Sequence, residues 1–108
     1  MGGMGAWEVA AHRPEVFAAL SPVAAHHKKE NEAKIAQSLS RTPVFAVHDR
    51  TDETCPLGPE ARLLDLIKDN GNTDVAMLVT TGVDHCKIHE HAYCINEDLY
   101  HWLLKHSL

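Results

Sequence analysis

An α/β fold built on a three-stranded parallel sheet flanked by helices is the expectation for these 108 residues, and three observations carry it. Compact apolar runs from Val16 to Leu20, Val44 to His48 and Val75 to Val79 lack the strict alternation of half-exposed strands, which is the pattern of strands buried on both faces. Helical periodicity fills the stretches around and between them. Strands that alternate with helices are joined by right-handed crossovers that keep the strands parallel.

Taken in order, Gly2-Gly3-Met4-Gly5-Ala6 opens a short helix in which Trp7, Ala10 and Ala11 recur at helical spacing until His12-Arg13-Pro14 stops it. The first strand, Val16 to Leu20, is ended by Ser21-Pro22. Residues 26–40 are polar, with a weakly amphipathic stretch from Glu30 to Leu39 that reads as a surface crossover. Thr42-Pro43 leads into the second strand, and residues 49–59 carry the loop signals Asp, Thr, Pro and Gly. A helix over Glu60 to Lys68 places Ala61, Leu63, Leu64 and Ile67 on one face, and Asp69-Asn70-Gly71-Asn72 supplies its stop. After the third strand comes a loop over residues 81–87, and a last helix from Ala92 to Lys105 aligns Ile95, Leu99, Trp102 and Leu103. Trp7, Phe45 and Trp102 are expected in the core.

Composition narrows the classes. Hydrophobic residues make up 44% and charged residues 23%, ordinary globular usage that argues against a disordered chain or a coiled coil. A formal net charge of −5, with Lys28-Lys29 as the sole adjacent basic pair, argues against a nucleic-acid partner or an anionic membrane surface, since phosphate binding requires clustered positive charge. Apolar runs fall short of a membrane span or a signal segment. Met1-Gly2 has the form of a myristoylation start, but Ala6 stands where that signal has Ser or Thr. Three cysteines, Cys55, Cys86 and Cys94, are an odd number without a secretory signal, so a reducing, cytoplasmic setting is expected rather than a disulfide framework.

Two loops follow two strands, and each presents a chemically useful group: Asp52 after the second strand and His85 after the third. The loop at a strand's C-terminal end is where α/β proteins place their sites. A competing cluster is His85-Cys86-x-x-His89-x-His91-x-x-Cys94, whose thiolate and imidazole donors suit zinc, although the spacing matches neither paired C-x-x-C nor H-E-x-x-H. The expectation is that no metal is bound.

Several motifs then line up in order. Met1-Gly2-Gly3-Met4-Gly5-Ala6-Trp7, Ser21-Pro22-Val23, His48 with Asp52 and Pro56, Asp84-His85, and Tyr100-His101-Trp102-Leu103-Leu104 follow one another along the whole chain. In this the sequence resembles the esterase-like α/β-hydrolases of the phospholipase/carboxylesterase, dienelactone-hydrolase and predicted-peptidase group. Members commonly read S-M-G-G-x-G-A-W, then a strand ending in P-V, then H-G-x-x-D-x-x-V-P, then G-H ahead of a final helix ending in Y-x-W-L. Their triad runs Ser, Asp, His, with the serine in a G-x-S-x-G elbow.

The resemblance implies that residues 1–108 are the C-terminal part of an α/β-hydrolase domain, a partial α/β-hydrolase fold running from the nucleophile-elbow helix to the final helix. It implies Asp52 as the triad acid and His85 as the base, with the serine immediately ahead of Met1 and the Met1 backbone nitrogen at the oxyanion position. The expected activity is that of a serine hydrolase acting on a small ester or acyl substrate without a cofactor, and the chain by itself is expected to be inactive. In the family a further strand lies beside Val16 to Leu20, so that edge is expected to invite self-association or an N-terminal half. A non-catalytic interaction module and a His/Cys zinc protein are the alternatives. Three departures stand out: Asp49 where the family has glycine, Cys55 where it has a valine-like residue, and Asp84 where glycine precedes the histidine. Asp84 is thereby a rival to Asp52 as orienting partner of His85.

Overall fold

The structure is a computed structural model that describes residues 2–95 and 97–107, the side chains of Cys94 and Ile95 excepted. Helix α1 spans Gly2–His12, α2 Glu32–Ser38, α3 Leu57–Asp69 and α4 Asp98–Leu103, and strands β1 and β2 span Val44–Asp49 and Val75–Thr80. Short 3-10 turns occupy Pro14–Val16 and Lys29–Asn31, and a π-helical stretch covers Glu90–Ile95. The last helix expected from the sequence is therefore in two pieces. Tyr100 reaches back across the gap between them, its hydroxyl donating to the Tyr93 carbonyl at 2.5 Å.

The sheet has two regular strands, not three. β1 and β2 pair in parallel, Val44 opposite Val75 through Asp49 opposite Thr80. Val16 to Leu20 is not a strand: Pro14 starts a 3-10 turn that runs through Val16, and the chain first meets β1 at Leu20. Residues 20–24 run parallel to β1 through two bridges in a single register, Leu20 opposite Val44 and Val23 opposite Val47. Main-chain bonds join Leu20 N to Pro43 O, Phe45 N to Leu20 O, Val47 N to Pro22 O and Ala24 N to Val47 O. In that register Pro22 is the residue whose N–H would donate to the Phe45 carbonyl, and proline has none. The Ser21 hydroxyl donates to that carbonyl instead, at 2.6 Å. A side chain thus mends the ladder, and the third strand is reduced to bridges.

Alternation along β1 separates two layers. Val44 and Ala46 face a core with Trp7 and Ala10 of α1, Ile35 and Ala36 of α2, and Leu63, Leu64 and Ile67 of α3. Val47 faces the other way, with Ala24, Ile88 and Ala92 and the half-buried Phe45 and Leu78. Trp102 covers that side, its ring centroid 5.5 Å from Phe45. The side chain of Asn72 follows α3 and donates to the carbonyls of Leu39 and Thr42 at 2.8 and 2.7 Å, which ties the end of α2 to the start of β1. The residues that stop α3 therefore also anchor its neighbours. Among the described residues no helix is long and apolar enough to cross a membrane.

Candidate active site

Asp52 and His85 are brought together at the C-terminal ends of β1 and β2. Asp52 lies three residues past β1, in a loop shaped by its own side chain: Oδ1 accepts from the backbone N–H groups of Thr54 and Cys55 at 2.9 and 2.8 Å. This is the Asx-turn chemistry that short carboxylates favour in loops. The other oxygen, Oδ2, accepts from His85 Nδ1 at 2.7 Å, with the Asp52 side chain fully buried and that of His85 about a quarter exposed, 26%. Burial alone would raise the Asp52 carboxyl. The Cys55 N–H, the His85 bond and charge and the Thr54 N–H outweigh it and hold the group below the usual carboxylate range. A proton fixed on Nδ1 leaves Nε2 as the acceptor nitrogen of a neutral ring.

Two further buried groups shape these loops. Asp49, the last residue of β1, accepts from Thr51 N and Oγ1 through Oδ2, and from Thr80 Oγ1 and Val83 N through Oδ1. The turn toward His85 needs a left-handed residue, and Gly82 supplies it at φ +76°. On the opposite face of β1, His48 bonds through Nδ1 to Glu60 Oε2 of α3, and its Nε2 donates to the Cys55 carbonyl at 2.6 Å. Cys55 N holds Asp52 in turn, and His48 Nε2 itself lies 3.9 Å from Asp52 Oδ2.

His85 separates two clefts. One, of about 270 Å³, is lined by His85, Ser21, Val23, Tyr93 and the first turn of α1 at Gly2 and Gly3. The other, of about 340 Å³, is lined by His85, Asp52, Thr54 and Gly82. Gly3 is required where α1 meets the end of the 20–24 segment, because a Cβ there would overlap the Ala25 side chain and lie 2.7 Å from its Cα. A third cleft, of about 540 Å³, lies at the other end of β1 around Phe17, Arg41 and Pro43, and neither Asp52 nor His85 borders it.

Asp84 does not orient His85. Its carboxylate accepts from Cys86 N at 2.8 Å on the protein surface, while His85 turns to Asp52. Cys55 is buried, and burial together with the Asp52 charge raises its thiol, which keeps it from acting as a thiolate. Met1 lies outside the described residues, as does the Cys94 side chain of the zinc alternative. Among the described residues no group of three His, Cys, Asp or Glu stands close enough to hold a metal ion. Sequence reasoning did not find Glu60 as the partner of His48, for nothing in a helix pattern marks a buried carboxylate. For Asp49 the one signal was the departure from the glycine that the resemblance leads one to expect.

A solved structure of a thermostable esterase shares this architecture, with a TM-score of 0.74 at 20% identity. The similarity covers 99% of this chain and 29% of the esterase, so the chain spans under a third of that protein. The fold is part of an α/β-hydrolase domain. Residues 2–108 match the prolyl oligopeptidase family, and the chain belongs to that family. No curated protein is significantly similar to it in sequence.

Proposed function

We propose that this chain supplies the acid and the base of a serine-hydrolase triad, Asp52 and His85, to a nucleophile at the N-terminal end of α1, and that the assembled site cleaves an acyl bond, in an ester or a peptide. The observation that carries the reading is His85, whose Nδ1 bonds a buried carboxylate at 2.7 Å while the same ring lines a cleft with Gly2 and Gly3. A serine there would pass its proton to Nε2 as it attacks the acyl carbon, and the imidazolium would be stabilised by Asp52 before protonating the leaving group. The first backbone N–H groups of α1 would meet the oxyanion. Ser21 borders the cleft too, but its hydroxyl is committed to the Phe45 carbonyl, so it is not the nucleophile of this reading.

On the same reading the open edge of residues 20–24 receives a strand belonging to the nucleophile half, and a second copy of the chain is the competing occupant. No cofactor takes part.

The test is to size the native product by intact mass and assay the same sample with p-nitrophenyl acetate. Hydrolysis by a product heavier than 12.0 kDa, abolished by His85→Ala, is expected. Hydrolysis indifferent to His85→Ala overturns the assignment, and an inactive native product of 12.0 kDa leaves a non-catalytic relative in its place.

A further inference from the structure

Asp49 is a buried carboxylate with no exposed surface, yet the four donors that meet it among the described residues are neutral. Charge in that setting persists only where hydrogen bonds replace the lost water. Oδ2 takes Thr51 N at 2.9 Å and Thr51 Oγ1 at 2.5 Å, both from the residue next to Asp52. Oδ1 takes Thr80 Oγ1 at 2.6 Å, at the end of β2, and Val83 N at 2.9 Å, two residues before His85. One oxygen therefore grips the acid loop and the other the histidine loop. The backbone repeats the pattern, with Arg50 N donating to Thr80 O at 2.8 Å and Asp52 N to Asp49 O at 3.3 Å.

We propose that Asp49 is a positioning residue for the Asp52–His85 pair, a clamp that sets the separation of the two loops. The inference rests on the reading of these residues as triad members. The clamp's leverage follows from hydrogen-bond geometry: at 2.7 Å the His85–Asp52 bond is near its optimum, and a shift of under an ångström in either loop takes it out of range. A carboxylate with four donors is difficult to replace, because asparagine turns one acceptor into a donor that faces other donors.

The experiment is proton NMR on the 108-residue chain labelled with 15N, following the downfield His85 Nδ1–H resonance, assigned by its loss in Asp52→Asn. In Asp49→Asn that proton is expected to exchange with water faster by about tenfold or more, the factor expected when a charge-assisted hydrogen bond is weakened. Thr80→Val is expected to move it part of the way, and Thr80→Ser, which keeps the hydroxyl, to leave it in place. A folded Asp49→Asn chain with an unchanged resonance overturns the clamp. Should Asp49→Asn fail to fold, Thr80→Val decides: faster exchange supports the clamp and an unchanged rate overturns it. The readout needs no substrate, so a clamp that passes this test in a protein whose hydrolysis ignores His85 would leave the clamp standing and remove only the triad reading.

Discussion

His48 and Glu60 meet inside the protein with both side chains fully buried, a bond from α3 to β1 that lies beside the Asp52–His85 pair without belonging to it. Both ring nitrogens of His48 face acceptors, Glu60 Oε2 and the Cys55 carbonyl, so the pair retains a proton between its members. Removing one partner of such a pair leaves the other buried and uncompensated, and Glu60→Ala is expected to cost about 3–5 kcal/mol, read as a urea midpoint.

The same pair sets an alkaline limit. Burial works against the His48 imidazole, but the Glu60 bond, the Cys55 carbonyl and the charges of Glu60 and Asp52 outweigh it and hold the group above its ordinary value. Burial also raises the Glu60 carboxyl, against the opposing pull of His48. In each case the native state binds more protons than the unfolded chain. The His48 contribution is therefore fully present below its ordinary value of 6.5 and is lost as pH rises through the folded value. As pH rises above the ordinary histidine value of 6.5 the stability of the wild-type chain should fall. A Glu60→Gln chain with the same slope would show that the pair is not its source.

At the acid end the sign reverses. Burial pushes the Asp49 and Asp52 carboxyls up, but the donors on each outweigh it and hold both below the ordinary value of 3.8. Their contribution is present above that value and is lost as pH falls toward the folded ones. Acid unfolding followed by circular dichroism should show a shallower dependence in Asp52→Asn than in wild type. Equal dependence in the two would mean that Asp52 is not held as described.

Ser21 and Pro22 predict a coupled pair. Ser21→Ala leaves the Phe45 carbonyl without its partner and should cost about 1–2 kcal/mol. Pro22→Ala restores the N–H that the ladder register calls for, so the serine substitution should cost clearly less in that background. A double-mutant cycle in thermal denaturation measures the coupling, and strict additivity would count against the mended ladder.

Two glycines of α1 should respond in opposite directions. Gly3→Ala drives a methyl into Ala25 and should destabilise by about 1–3 kcal/mol while pushing the first turn of α1 from the cleft. Gly5→Ala meets open space on a helix and should stabilise by about 0.5–1 kcal/mol. Urea denaturation of the two variants side by side tests the contrast, which disappears if α1 does not pack where it is described.

Local pattern determined a good part of this protein. The apolar runs at 44–48 and 75–79 became β1 and β2, the face with Leu63, Leu64 and Ile67 became the buried side of α3, and the motif order pointed to Asp52 and His85. Those features lie within a few residues of one another or in a recognisable series, and hydrophobic burial acts on them whatever the distant partner is. Tertiary structure decided the rest. Whether residues 16–20 form a strand depended on where the chain came alongside β1, which it does only from Leu20 onward, and the apolar run holds no record of that register. Asp52 prevailed over Asp84 as the partner of His85 across 33 residues, and Asp49 found its loop partners across 31 and 34, because the parallel strands end side by side. Hydrogen bonds require direction as well as proximity, and direction exists only once the sheet has brought the two loops together.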